Sequence, residues 1–532
     1  MLWQDQTTSA VEQCFLTAKQ RAHTDYQRII EQVVDFDRGL MSPYFESPGS
    51  FDKDRNPVPG TGGYFQKYFA NAWENGNGPL PALYFNCVRR LVKLRATLFH
   101  RRPIIHLERK GVRLADNDPA VLAWRKLERK CRLASRLKAL QHATELCESA
   151  VGYAAWRNDG MDAAGRPING RVELDILTPD VVEVYQDDWN PGSLDACRIV
   201  AHRLPMPVDT PTSTLDERWI VWERPGPAVG RIPGSTPEER WTCRIIDNQG
   251  RPIADWQSRP IPNPLFADNL NLYGLYPYVL FHRTEQTGQI WGQPNETYAS
   301  MQKAINLSLS LATLRQWASG GVAVLESQTA EKSDIPFGPF RAIRVNPDED
   351  FRFAAMAFDA EGTVKWIETL LKAWAVMDGI HPDALTLSGG AFSNAITAIA
   401  KAWDRQDLVD EREDAMPYWE DQLGTLLTRM VVVSNTHSGA TEQIPADLEW
   451  DIEWAEVSVP TSPQEKEQAF QAACNSGMDD PISRRMREKP GLSRENAEAD
   501  FAVCLEVNRQ RAEALEKSGE RQTPETPDGA EQ

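Results

Sequence analysis

Residues 381–398 read HPDALTLSGGAFSNAITA, a run of small residues centred on Gly389 and Gly390 and placed between two strongly helical stretches. Each glycine in a helix interior costs about 1 kcal/mol relative to alanine. The pair therefore marks a connector or a loop that must pack closely or move. On its N-terminal side Val364, Ile367, Leu371, Trp374 and Met377 share one helical face, and the pattern stops at Gly379, a residue suited to the position just after a helix. On its C-terminal side a helix is predicted from about Asn394 to Val432, interrupted in character only by Pro417. Its outer face is acidic, because residues 401–430 hold 8 Asp+Glu against 4 Lys+Arg.

Working outward, Tyr298, Met301, Ile305, Leu309 and Ala312 mark another helix, ending at Ser319-Gly320-Gly321. The residues between it and the Val364 helix, 320–359, are strand-like: VAVLE, FRAIRV and FRFAAM. Further upstream, residues 171–281 change period. Val172, Leu174 and Ile176 alternate, and VVEVY, RIVAH, RWIVWE, RWTCRIID and YPYVLF are separated by turn residues, which predicts a mainly antiparallel sheet. Before it, Tyr84, Val88, Leu91, Leu94 and Leu98 fall on one helix face, Arg102-Pro103 precedes the strand-like IIHL, and more helix is predicted from Pro119 to about Trp156. The N-terminal part predicts one helix from Ala10 to about Phe36, then a surface excursion rich in Gly and Pro over residues 42–81. At the other end, LEWDIEWAEVSVP reads as a strand, short helices follow, and the polar tail GERQTPETPDGAEQ is predicted to be disordered.

At 532 residues the chain exceeds what one hydrophobic core supports, so more than one domain is predicted. Its net charge of −18 disfavours tight binding of a polyanion by the molecule as a whole. The balance is uneven. Residues 89–138 carry 16 Lys+Arg and 4 Asp+Glu, a net of +12, so the remainder carries −30. That block either faces nucleic acid or an acidic partner, or neutralises carboxylates within the subunit or across a subunit boundary. The 8 cysteines are far apart, with no CxxC pair and no compact disulfide framework, which fits a reducing cytoplasm. The first residues, MLWQDQTTSA, lack the pattern of a signal peptide, and no run of about 18 apolar residues occurs, so no membrane partner is predicted.

Catalytic signatures are missing from the sequence. GTGG at residues 60–63 is followed by Tyr64 and has no lysine to reach a phosphate; HExxH and GxSxG do not occur; the eight histidines are scattered singly. No catalytic residue, metal site or cofactor is predicted. The 17 tryptophans fit core and subunit-interface anchors better than a sugar-binding groove.

The succession of elements resembles the portal protein of tailed bacteriophages, the ring through which DNA enters and leaves the capsid. Residues 276–317, YPYVLFHRTEQTGQIWGQPNETYASMQKAINLSLSLATLRQW, are similar to the portal segment that leads into the first stem helix. GIHPDALTLSGGAFSNAITAIAKAW is similar to the tunnel loop and the start of the long wing helix, and SVPTSPQEKEQAFQAACNSGMDDPISRRMREKPGLSRENAEADF to the crown. The fold class this implies is α+β, an elongated subunit assembling as a closed ring. Its parts would be an N-terminal helix and extension (1–83), a wing of helices then antiparallel sheet (84–295), a first stem helix (296–319), a small α/β clip (320–359), a second stem helix (360–380), a tunnel loop (381–393), a long wing helix with a returning strand (394–460), a helical crown (461–515) and a disordered tail (516–532).

The resemblance implies a conduit rather than an enzyme, in a ring of about twelve copies at one vertex of the virion, assembled in the host cytoplasm. Its implied partners are double-stranded DNA, held weakly and without sequence preference, the terminase large subunit, a head-tail adaptor, the major capsid protein and the scaffold. The tunnel loop would be Leu385, Thr386, Leu387, Ser388, Gly389, Gly390, Ala391 and Phe392, which lacks a lysine. Lys365 and Lys372 would face the channel from the second stem helix; Lys332, Arg341, Arg344 and Arg352 would be the clip's cations for terminase or adaptor docking. Two other readings stay open from the residues alone: an acidic, Trp-rich cytoplasmic hydrolase of the glycoside hydrolase kind, or another capsid component such as a scaffold or adaptor.

Overall fold

The computed structural model describes residues 22–45, 83–159, 168–185, 193–204, 218–225, 240–247, 252, 263, 265–266, 268–284, 289–318, 322–326, 350–354, 359–380, 382, 385, 406–438, 443–445, 447–455, 470, 480–488 and 494–519. It is a mixed α+β chain in two compact units: residues 1–394 with 404–455, and residues 395–403 with 456–532.

The first unit opens with helices α1 (Ala22–Arg38), α2 (Ser42–Phe45) and α3 (Cys87–Arg95). Strands β1 (Ile104–Arg109) and β2 (Val112–Arg113) follow, then helices α4 (Pro119–Cys131) and α5 (Leu133–Cys147). Strands β3 (Ser149–Arg157), β4 (Arg171–Leu177), β5 (Val182–Tyr185), β6 (Ile199–Arg203), β7 (Arg218–Glu223), β8 (Thr242–Asp247) and β9 (Tyr278–His282) build the sheet region. Helix α6 (Glu296–Ala318), the pair β10 (Val322–Glu326) and β11 (Asp350–Ala354), helix α7 (Ala360–Met377), the long helix α8 (Gln406–His437) and strand β12 (Glu449–Glu453) complete it.

The sheet region divides into β4-β3-β9 and β5-β6-β7-β8, both antiparallel, as the alternating sequence predicts. Period-two alternation decides what each strand buries. Val200 and His202 of β6 and Ile220 and Trp222 of β7 face the main core, while Ile199, Ala201, Trp219 and Val221 join a smaller cluster with Ile246. Between the two sheets Tyr153 stacks on Tyr278 at 4.8 Å and lies 4.7 Å from His202, whose Nδ1 is 2.6 Å from the Tyr278 hydroxyl. Over the other side of β3 lies α8. Gly152 makes that approach possible, because a Cβ there would stand 3.3 to 3.4 Å from Phe281, Leu174 and Leu426.

Two expectations change. The helix predicted from Pro119 to Trp156 breaks at Arg132 and ends at Cys147, where Arg132 and Glu148 adopt left-handed backbone conformations, and the remainder is β3. The cause is burial on both faces: every residue of β3 before Arg157 is buried, so its alanines replace the alternation that would announce a strand. The predicted helix through Tyr84 and Leu98 is shorter, from Cys87 to Arg95, with the Asn86 side chain accepting a 2.9 Å hydrogen bond from the Arg89 N–H.

The end of α7 lies where the sequence predicts it, and the long helix α8 runs on to His437, past the predicted Val432. Helix α7 is capped at its start by Asp359, whose side chain accepts from the Gly362 N–H at 2.8 Å. At its end the Ile380 N–H donates to the Ala375 carbonyl at 2.8 Å and Gly379 N–H to Val376 at 3.2 Å, with Gly379 at φ 68°. This is the six-to-one and five-to-two pairing that a glycine just past the helix allows. The returning strand β12 pairs antiparallel with β1, Ile105 opposite Ile452. The predicted FRAIRV strand lies outside the described residues, as do residues 10–21 and 394–405 of the helices predicted there and all of the Gly/Pro-rich excursion except residues 42–45, which form α2.

The second unit holds α9 (Pro481–Glu488) and α10 (Arg494–Gly519), packed on each other. Asp480 caps α9 by accepting from the Ile482 and Ser483 N–H groups, both at 2.8 Å. Helix α10 continues through residues 516–519, which the sequence assigns to the disordered tail.

Burial lowers the imidazole pKa of His202 to about 3, with Arg157 adding to the effect, and those of His282 and His437 to about 4. The unfolded chain binds these protons near the ordinary value of about 6.5, so their contribution is complete above that pH and is lost progressively as the pH falls toward 4. His202→Phe is expected to flatten the loss of thermal stability between about pH 6 and pH 4 relative to the native chain, measured by calorimetry.

Candidate functional site

The predicted functional segments run through α6, β10–β11, α7 and the residues after it. Helices α6 and α7 pack together in a second core with α1 and α3, built from Ile30, Val33, Phe36, Val88, Leu91, Tyr298, Ile305, Ile367, Leu371 and Trp374. Along α6 a buried polar row stands beside this apolar face. Gln302, Asn306 and Ser310 recur every fourth residue and take up the backbone of residues 83–88. Gln302 Oε1 accepts from the N–H groups of Cys87 at 2.9 Å and Val88 at 3.1 Å, and its amide donates to the Phe85 carbonyl at 2.5 Å. Asn306 Oδ1 accepts from Phe85 N–H at 3.0 Å, and Ser310 Oγ from Leu83 N–H at 3.2 Å. A segment with no strand partner thus has its amides satisfied by helix side chains, as burial requires.

The C-terminal end of α7 meets α3, α5, α8 and the end of β9 in an ionic junction, with Arg95 and Asp378 buried and Glu145, Glu148 and Arg283 half-buried. Arg95 donates to the backbone carbonyl of Asp378 and pairs with Glu411, and its Nε lies 3.4 Å from Glu145 Oε2. Arg283 Nη1 is 2.8 Å from Glu148 Oε1, its Nε is 3.5 Å from Glu145, and its Nη2 is 3.6 Å from Glu411. The Asp378 carboxyl stands beside the Trp374 indole and the Tyr298 hydroxyl, outside good hydrogen-bond geometry. Burial pushes the carboxyls of Glu145, Glu148 and Asp378 above the ordinary carboxylate range, against the pull of Arg95 and Arg283. Burial also works against the charge on Arg283, but Glu148 and Glu145 outweigh it and hold the guanidinium more firmly protonated.

Of the predicted site residues, Leu385 is buried at 1 % exposure in the helical core with Trp374 and Ile380. Its side chain is a packing group here. Thr386, Leu387, Ser388, Gly389, Gly390, Ala391 and Phe392 lie outside the described residues, as do Lys332, Arg341 and Arg344. Arg352 sits in β11 at the register position opposite Val324. Lys365 and Lys372 are both exposed on α7, and Lys365 Nζ pairs with Glu361 at 2.6 Å.

Beside these lysines α7 exposes a second, apolar face. Trp366, Ala373 and Met377 are spaced seven and four residues apart, with Val376 at their edge; Trp366 is 57 % and Met377 67 % exposed. Within the basic block several guanidiniums find carboxylates inside the subunit: Arg102 with Glu128, Arg109 with Asp447 at 3.3 Å, Arg113 with Asp451, and Arg125 with Asp116 at 2.5 Å. Intrasubunit neutralisation therefore accounts for part of that block. Among the described residues no group of three or more His, Cys, Asp or Glu could hold a metal ion, and no helix is long and apolar enough to cross a membrane.

No protein-family model matches the sequence, and no curated protein matches it. Among solved structures, the neck of an empty gene transfer agent particle, computed with C6 symmetry, aligns at 12% identity and a TM-score of 0.33, over 75% of this chain and 88% of that one. The virion of a native gene transfer agent particle aligns at 13% identity and a TM-score of 0.31, with the same coverage. Superpositions at this level do not establish a shared fold.

Sequence reasoning places α6 and α7 but misses both the polar row and the ionic junction. The row is visible as Gln302, Asn306 and Ser310 at four-residue spacing, a pattern that reads equally well as a solvated face. Replacing Gln302 by leucine is expected to strand the Val88 amide and to leave the Cys87 amide only the Phe85 carbonyl, with a cost of about 1–3 kcal/mol for a buried hydrogen bond left unmade. A lowered denaturant midpoint together with faster hydrogen exchange at those two amides is the check.

Proposed function

We propose that the chain is a portal-type ring subunit, a passive conduit for double-stranded DNA rather than an enzyme. The observation that carries this reading is the succession inside one compact unit. Paired helices α6 and α7 bracket the antiparallel pair β10–β11, α7 ends in a glycine cap, and a long helix with exposed Asp410, Glu413, Asp414, Glu420 and Asp421 leads to a strand that returns to β1. In this reading α6 and α7 are the stem, β10–β11 the base of the clip, and residues 381–393 the tunnel loop, while the second unit supplies the crown.

The apolar face of α7 supports assembly. Trp366 and Met377 would leave substantial hydrophobic area in water at about 25 cal/mol per Å2, and a second copy laid against the stem removes it. A surface contacting a different surface on the next copy closes into a ring when the rotation allows, here of about twelve copies. The acidic surface then serves passage, since DNA slides where few phosphates are neutralised. Terminase large subunit and, later, a head-tail adaptor would dock on the clip; capsid protein and scaffold would surround the wing in the virion.

Negative-stain images of the purified chain are expected to show rings with a central channel. A compact monomer at every concentration would overturn the reading. The double substitution Trp366→Glu with Met377→Glu is expected to abolish rings, seen as a shift to monomer in analytical ultracentrifugation, with its circular dichroism spectrum unchanged.

A further inference from the structure

The ionic junction has more negative charge than its cations balance. Arg95 from α3 and Arg283 after β9 face Glu145 of α5, Glu148 at its end, Asp378 at the end of α7 and Glu411 of α8. Tyr298 of α6 lies beside Asp378, while Tyr26 of α1, Cys147 of α5 and Asp180 of the turn at Pro179–Val181 face the Glu148 side. Asp378 Oδ2 and Asp180 Oδ1 are buried without a hydrogen bond of good geometry, the Trp374 indole and Tyr298 hydroxyl standing near Asp378. Fully ionised, the junction sets four carboxylates against two guanidiniums; farther out on the Glu148 side, Asp180 and Asp37 flank Cys147, and Arg38 opposes them there. Uncompensated buried charge is among the costliest things a fold can hold, and the ordinary relief is to bind a proton.

We propose that this junction is a proton-loaded latch: in the folded chain near neutral pH it takes up at least one proton from solvent, shared among Glu145, Glu148 and Asp378, and that proton fastens the end of α7 to α5 and α8. Burial raises the proton affinity of these three carboxyls, in line with the geometry. Glu411, whose side chain is 43 % exposed, gives the proton its path from water. The sign is opposite to that of the buried histidines. A carboxyl that binds its proton more tightly folded than unfolded adds stability as the pH falls, and that stability is lost as the pH rises through its folded pKa. The latch is a property of the subunit and holds whatever the chain assembles into.

The test is the difference in thermal midpoint between variant and native full-length chain at matched pH, which cancels the histidines. Asp378→Asn removes one negative charge, keeps the side-chain shape and leaves the ion pairs of Arg95 and Arg283 with Glu145, Glu148 and Glu411 in place. It is expected to raise the midpoint at about pH 8 by about 1–2 °C, and the gain is expected to shrink toward zero as the pH falls to about 6. A variant less stable than the native chain by a constant amount across that range would overturn the latch. Infrared spectra of the native chain with labelled Asp and Glu carboxyls need no variant. A protonated-carboxyl band at neutral pH is expected, and its absence would equally refute the proposal.

Discussion

A buried guanidinium, Arg95, and a half-buried one, Arg283, set at the meeting point of several elements, impose the constraint on which the first unit depends. Arg95 cannot be left without an anion once it is out of water, because removing one partner of a buried pair costs about 3–5 kcal/mol. Together the two arginines fix the ends of α5 and α7, the exit from β9 and the start of α8 relative to one another. Arg95 comes from the basic block 89–138, so one function of that block is internal. The excess of carboxylates around the two cations makes the same contact responsive to protons.

From this point the unit extends as two cores. One is the pair of sheets with α8 over Gly152, where aromatic groups from several strands close the space between layers. The other is helical, with α6 and α7 at its centre and Leu385 buried after the Gly379 cap. The chain leaves α7 already anchored at Ile380 and Leu385.

How much of this could be read from residues follows from the range of the interactions. Helix α7 was legible because its signals are local: the apolar periodicity within it and Gly379 after it. The antiparallel strands from β4 to β9 were legible because turn residues and alternation both lie within a few positions. Strand β3 was not, since burial on both faces replaced alternation with small apolar residues that also favour helix. Glu145, Glu148, Asp378 and Glu411 were invisible as a group among 76 acidic residues, because nothing local distinguishes a carboxylate that will meet an arginine 50 or 316 positions away from one that will face water.

The polar row on α6 has a geometric consequence of its own. Gln302, Asn306 and Ser310 advance about 6.0 Å per step along α6, and their side chains meet Cys87, Phe85 and Leu83 in turn, so the helix and the chain before α3 run in opposite directions. Three side chains of one helix thus hold, among the described residues, the stretch that feeds α3, and a displacement of α6 is transmitted directly to the start of α3.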